Sequence, residues 1–329
     1  MKRIAINGMG RIGRASLKII LDTPDLELVA VNDVASIDNI AYLIKHDSVH
    51  GTYEKGIKIG KDQLIVGEHR IPFFSERDPE KLPWGELNVD IVIESTGVFT
   101  KQEDAEKHIN AGAKTVVLSG PSQSPDVPTV VHGVNSEDGQ TRIFSCASCT
   151  TNNISPIIEI LGRRIGIKKA IMTTIHADTA SNKTVDGPSE KNFRMGRSGL
   201  NNIIPTTTGA ATATTRALPQ YAGKFDGMAI RVPVAVGSLS DITIVTERPT
   251  SVKEVNEILT EEAATERYRN VLDVTNDPIV SSDIIKSPFA AIADLDMTKV
   301  VDGDLLKVLA WYDNEWGFTN QMIRQIIHI

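Results

Sequence analysis

Both cysteines of the chain fall in one octapeptide, SCASCTTN at 145–152, three positions apart and surrounded by hydroxyls. The residues that follow, TTNNISPIIEILGRRIG, read as a helix with Pro156 near its first turns. Where a strand ends and a helix begins, unpaired N–H groups and the helix dipole favour negative charge. Cys149 is therefore expected to be a nucleophile whose thiol pKa is lowered below about 8.5. Ser148, Thr150 and Thr151 add hydroxyl donors suited to an anionic group or a developing oxyanion. A free cysteine is often no more than a small buried hydrophobe, but the hydroxyls and the helix start argue against that at position 149.

A second stretch, NGMGRIGR, places Gly8, Gly10 and Gly13 in the G-x-G-x-x-G spacing between a strand-like run, RIAING, and a helical one, RASLKIILD. A tight turn there lets a pyrophosphate approach the backbone and sit on the N–H groups of the helix start. Asp33 closes the next apolar run, LELVAVND, 20 residues after Gly13, where a carboxylate can accept both ribose hydroxyls of an adenosine. The same carboxylate repels a 2'-phosphate. NAD is favoured over NADP, although the small Ala35 and Ser36 leave room for dual use. In IMTTIHADT, alternation puts His176 on one strand face with Met172, Thr174 and Asp178, the more polar of the two faces. A histidine there could be a half-buried structural residue or the base for Cys149. Spacing does not decide, because a Cys–His pair is a contact in space.

The elements needed to hold these residues follow from the pattern. The opening reads as a βαβ unit, and VDIVIEST, the helical KQEDAEKHINAGA and TVVLS continue a parallel sheet, with TVVHG and TRIFS adding two strands before the cysteines. Beyond the helix after Cys149 the strands lengthen and alternate, as in KKAIMTTIHA and KFDGMAIRVPVAVGSLSDITIVTE, which predicts antiparallel pairing. Residues 178–202 read as a functional loop, and GFTNQMIRQIIHI as a packed terminal helix. The fold class expected is α/β: a Rossmann-type dinucleotide-binding domain plus an α+β catalytic domain with a mostly antiparallel sheet.

Composition limits the partners. With 329 residues, a net charge of −7 and no basic field, the chain is not expected to bind nucleic acid or an anionic membrane. No run approaches the roughly 18 apolar residues of a membrane span, and the start runs straight into patterned structure, so a cytoplasmic location is expected. Two cysteines supply neither a disulfide framework nor a cysteine-type zinc site, and no metal is expected.

Taken together, NGMGRIGR, KHDSVHG, SCASCTTN, TTIHADT, KTVDGPS, NIIPTTTGAA, RVPVAVGSLSD and WYDNEWGFTNQM resemble glyceraldehyde-3-phosphate dehydrogenases, in order and nearly end to end. The resemblance implies a phosphorylating, NAD-dependent aldehyde dehydrogenase of glycolysis and gluconeogenesis, with residues 1–148 and 315–329 forming the NAD-binding domain and 149–314 the catalytic and oligomerisation domain of a homotetramer. It implies that Cys149 attacks glyceraldehyde 3-phosphate with His176 as base. The resulting hemithioacetal passes a hydride to the nicotinamide, and inorganic phosphate releases 1,3-bisphosphoglycerate from the thioester.

By the same resemblance Thr179, Ser181 and Arg231 face the substrate phosphate, and Ser148, Thr150, Thr208, Gly209 and Arg197 the incoming one. Arg11 and Ile12 lie at the pyrophosphate, Asp33 at the ribose, Arg77 and Thr96 on the adenine side, and Ser119 and Asn314 near the nicotinamide. An erythrose-4-phosphate dehydrogenase or an NADP-accepting relative is the alternative. The chain departs from the usual SNASCTTNC at Cys146 and Asn153, has Phe318 for a frequent Tyr, and has Thr212 where Lys is common. Cys146 could capture an oxidised Cys149 as a disulfide, or could be inert packing.

Overall fold

The structure is a computed structural model describing residues 1–136, 141–190 and 192–329. The chain divides into two compact units, one of Met1–Val130, Ser136–Ala147 and Met322–Ile329, the other of Val131–Asn135 and Ser148–Gln321.

In the first unit the strands are β1 (Lys2–Asn7), β2 (Leu26–Asn32), β3 (Ile57–Gly60), β4 (Gln63–Val66), β5 (His69–Phe74), β6 (Ile91–Glu94), β7 (Thr115–Leu118) and β8 (Ile143–Ser145). Among the described residues they form an eight-stranded sheet in the order β3-β4-β5-β2-β1-β6-β7-β8. From β5 through β8 the pairs are parallel, and β3, β4 and β5 make an antiparallel edge. Ile4, Ala5 and Ile6 are wholly buried, as a central parallel strand covered on both faces requires. Helices α1 (Arg11–Ile20), α2 (Ile37–Lys45) and α3 (Gln102–Asn110) make the connections. β1 has β2 on one side and β6 on the other, so the chain order reverses beside it, the usual place for a ligand at the carboxyl ends of the strands.

The strand expected at TVVHG does not form. Only Thr129 bridges to Ser145; beyond it the Val131 N–H bonds to Asn135 Oδ1 at 2.8 Å and Gly133 takes φ +79°, so the segment turns instead of extending.

The second unit carries α4 (Cys149–Arg164), β9 (Ile167–Ala177), β10 (Ile204–Thr207), α5 (Ala210–Ala217), β11 (Phe225–Val232), β12 (Ser238–Thr246), α6 (Val252–Ala263), β13 (Leu272–Thr275), β14 (Ala291–Val301) and β15 (Leu305–Tyr312). Its sheet runs β10-β11-β9-β12-β15-β14-β13. Four of the pairings are antiparallel, while β11–β9 and β13–β14 are parallel. KFDGMAIRVPVAVGSLSDITIVTE is two strands, broken at Pro233, which has no N–H to give to a ladder. The terminal helix α7 (Trp316–His328) is shared between the units: Gln321 ties its first half to the Asn270 and Pro288 carbonyls, and Lys2 Nζ bonds the Ile326 and Ile327 carbonyls at its end.

Candidate active site

Cys149 is the first residue of α4. Ala147, at φ +59°, makes the sharp entry into the helix, a backbone position uncommon for a residue with a Cβ. Ser148 is the N-cap: its Oγ accepts the Thr151 N–H at 3.1 Å and lies 2.8 Å from Thr151 Oγ1. Cys149 stays partly exposed and Cys146 is buried. Burial pushes the Cys146 thiol up to about 12, which keeps it protonated and favours a packing role over disulfide capture.

β9 brings His176 to the thiol. Its Nε2 is 3.4 Å from Cys149 Sγ and its Nδ1 2.7 Å from the Ala177 carbonyl. The Ala177 carbonyl can only accept and calls for a hydrogen on Nδ1, while the Arg231 guanidinium at the same nitrogen can only donate; the tautomer that the carbonyl selects turns the Nε2 lone pair towards sulfur. Arg231, opposite His176 in the β9–β11 register, also donates to Ala177 O at 3.0 Å and touches His176 Nδ1. Burial first, and the Arg231 charge second, hold the His176 pKa down at about 4. The imidazole is therefore neutral near pH 7 and able to take a proton. The Cys149 thiol is pushed up, by burial first, against the lowering effects of Arg231 and Thr150. This corrects the expectation of a depressed thiol pKa: a helix start favours the thiolate, but desolvation at this position outweighs it. The pair at rest is thiol and neutral imidazole.

Met172, Thr174 and His176 do share a face, and it is the buried one, packed inward. Behind it stands Tyr312, which the sequence reading did not single out. Its buried hydroxyl lies 2.7 Å from Thr174 Oγ1 and 2.9 Å from Thr150 Oγ1, and its ring meets His176 edge-on. Such a contact joins residues 162 positions apart, so no spacing signals it.

The expected anion groups are differently placed. The Thr179 and Ser181 hydroxyls pair with each other at 2.8 Å near the surface. Arg231 Nε is a buried donor without a partner among the described residues. Thr150 points its hydroxyl at Tyr312, and Arg197 is tied to Asp186 at 2.8 Å, so neither side chain is uncommitted. Gly209 caps α5 and Thr208 Oγ1 accepts the Ala210 N–H. Asn314 Oδ1 accepts from Gly237 N and Ser238 Oγ, both at 3.1 Å, leaving its NH₂ group as what it can offer a ligand.

In the first unit a cavity of about 380 Å³ is lined by Asn7, Gly8, Gly10, Asn32, Asp33, Arg77 and Thr96, among others. Its glycines pass a dinucleotide's requirements for opposite reasons. A Cβ on Gly8 would meet Thr96 N at 2.7 Å and one on Gly13 would lie 1.9 Å from Gly8 O, so both positions are forced by packing. Gly10 faces open space and caps α1 with no side chain, leaving the N–H groups of the helix start available to phosphate. Asp33 is pinned by Met9 N–H at 2.6 Å and Ala35 N–H at 2.8 Å, one on each oxygen, with lone pairs to spare for ribose hydroxyls. These residues fit the adenosine and pyrophosphate of NAD. Arg11 and Ile12 open α1, Arg11 held by Asp47 at 2.7 Å, while Ser119 follows β7 and is not among the cavity residues.

Comparison with known proteins agrees with both units. The family description "Glyceraldehyde 3-phosphate dehydrogenase, NAD binding domain" matches residues 2–102, and the corresponding C-terminal domain matches 148–314. A protein named glyceraldehyde-3-phosphate dehydrogenase from Clostridium acetobutylicum is 44% identical over 100% of this chain and 98% of its own. Glyceraldehyde-3-phosphate dehydrogenase 2 of Streptomyces avermitilis is 46% identical over 98% and 96%, and glyceraldehyde-3-phosphate dehydrogenase 1 of Kluyveromyces lactis 44% over 100% and 100%. On these matches, which span nearly the whole chain, the chain belongs to the glyceraldehyde 3-phosphate dehydrogenase family.

Proposed function

We propose that this chain oxidises glyceraldehyde 3-phosphate with NAD and inorganic phosphate to 1,3-bisphosphoglycerate. The observation that carries the reading is the 3.4 Å approach of His176 Nε2 to Cys149 Sγ at a helix start. His176 Nε2 takes the thiol proton as sulfur bonds to the aldehyde carbon and hands it to the former carbonyl oxygen, giving a hemithioacetal and a neutral imidazole. NAD, when bound, would supply the hydride acceptor needed for that carbon to reach the thioester level. His176 removes the hydroxyl proton of the hemithioacetal, and phosphate attack on the thioester then frees the sulfur.

The Arg231 charge that depresses His176 also works against the ring keeping a proton. A substrate phosphate against Arg231, with Thr179 and Ser181 beside it, would offset that charge and raise the basicity of His176 when substrate is bound. Ser148, Thr150, Thr208, Gly209 and Arg197 remain the proposed second phosphate site, with Thr150 and Arg197 exchanging their present partners for the anion.

Asp33 favours NAD over NADP. Exposed apolar side chains in the second unit, Phe193 at 86% and Ile203 at 71%, support a homotetramer that covers them. No helix among the described residues is long and apolar enough to cross a membrane, and a glycolytic substrate would be met in the cytoplasm.

The test is reduction of NAD and of NADP with glyceraldehyde 3-phosphate, each with and without phosphate. Turnover that needs phosphate and prefers NAD is expected; turnover unchanged in Cys149→Ser would overturn the proposal.

A further inference from the structure

Beneath the cofactor cavity lies a buried polar network that the catalytic chemistry does not use. Glu94, at the end of β6, is 4% exposed, yet its carboxylate carries four donors. Oε2 accepts Asn7 Nδ2 at 2.6 Å and His108 Nε2 at 3.0 Å; Oε1 accepts the Thr96 N–H at 2.8 Å and the Thr96 hydroxyl. On the far side of the ring, Trp84 Nε1 donates to His108 Nδ1 at 2.9 Å. An indole N–H can only donate, so Nδ1 accepts and the ring hydrogen sits on Nε2, facing Glu94. From Asn7 the network continues to Asn32 at 2.7 Å, and Asn32 clasps the Glu76 backbone through both its N–H and its carbonyl, each at 2.9 Å.

Asn7, Asn32, Glu76 and Thr96 line the cavity; Glu94, His108 and Trp84 lie behind it. Ser95 Oγ bonds the Gly8 carbonyl at 2.8 Å, so the loop that Glu94 holds is also packed on the glycine turn. A buried carboxylate is unfavourable unless all its lone pairs are used, and here those pairs fix one orientation of the cavity wall.

We propose that Glu94 and His108 are positioning residues for the adenosine side of the cofactor cavity, and that Trp84 senses its occupancy through the His108 ring. The inference rests on the reading that this cavity takes NAD.

The test measures NAD and ADP-ribose binding by calorimetry, steady-state kinetics, and fluorine NMR of protein carrying fluorotryptophan. Trp84→Phe identifies the Trp84 signal. In His108→Leu, which strips one donor from Glu94 and the acceptor from Trp84, the NAD dissociation constant and KM are expected to rise about tenfold, with kcat within about twofold. His108→Gln, which keeps a donor for Glu94, is expected to recover most of the loss. In wild-type protein, ADP-ribose is expected to shift the Trp84 signal. Unchanged NAD affinity in folded His108→Leu, or a Trp84 signal indifferent to ADP-ribose, would overturn the inference while leaving the cofactor reading intact. If His108→Leu does not fold, the wild-type titration alone decides. If wild-type protein binds neither NAD nor ADP-ribose, the cofactor reading fails and the inference falls with it.

Discussion

Two helix starts in this molecule use the same backbone device for opposite ends. At α1 the cap is Gly10, with no side chain and no first-turn carboxylate, so the N–H groups are left open to a bound anion. At α4 the cap is Ser148, whose hydroxyl satisfies the Thr151 N–H, and the first helical residue is Cys149, the proposed nucleophile. On the proposed function, one terminus would bind charge brought by a ligand, and the other would steady charge that arises during reaction on its own sulfur. The difference lies in the cap residue and in what strands deliver alongside: Asp33 from β2 at the first, His176 from β9 at the second. A helix dipole by itself therefore does not decide the protonation of Cys149, since burial at α4 pushes the thiol the other way.

Substitutions at the two termini should separate these uses. Cys149→Ser removes the nucleophile and should lower turnover on the order of 10⁴-fold or more while NAD affinity stays within about twofold; comparable losses of both would mean that the two termini are not separate in function. His176→Asn is next, with kcat/KM falling about 10²- to 10³-fold. In the wild type, kcat/KM should fall as pH drops through about 4, where the ring gains the proton that it must accept, and this acid limb should be missing from His176→Asn.

At α1 the glycines should part company. Gly13→Ala pushes a Cβ into the Gly8 carbonyl and should destabilise the first unit by about 3 kcal/mol, read as a lower denaturation midpoint. Gly10→Ala meets nothing and should leave stability within about 1 kcal/mol while weakening NAD binding roughly tenfold, because the methyl occupies the approach to the N–H groups. The smallest effect is Ser148→Ala, about 1 kcal/mol for a lost cap, measured by denaturant unfolding.

The two sites were unequally legible in the sequence. The glycine turn could be read because its constraints are local: Gly8, Gly13 and the start of α1 lie within a few residues, and Asp33 needs only the next strand. Cys149 at a helix start was legible for the same reason. Its partner was legible only through the family resemblance, since the 27 positions that separate Cys149 from His176 say nothing until β9 returns beside α4. Tyr312 behind His176, and the set of Trp84, His108 and Glu94, are joined by side-chain hydrogen bonds across long separations that leave no periodicity. The two parallel pairings in the second sheet were hidden too, because strand alternation reports faces and not direction. Thr129–Gly133 shows the opposite failure, a β-branched run with the right composition whose ladder is ended by its own turn. The thiol pKa was misjudged because desolvation depends on what packs around the sulfur, which no motif encodes.

The most direct measurement is mass spectrometry of acid-quenched protein mixed with NAD and glyceraldehyde 3-phosphate in the absence of inorganic phosphate. An acyl adduct should accumulate on Cys149, disappear when phosphate is added before the quench, and be absent from Cys149→Ser. NAD reduction in the first turnover with no mass added at Cys149 would contradict covalent catalysis by this thiol.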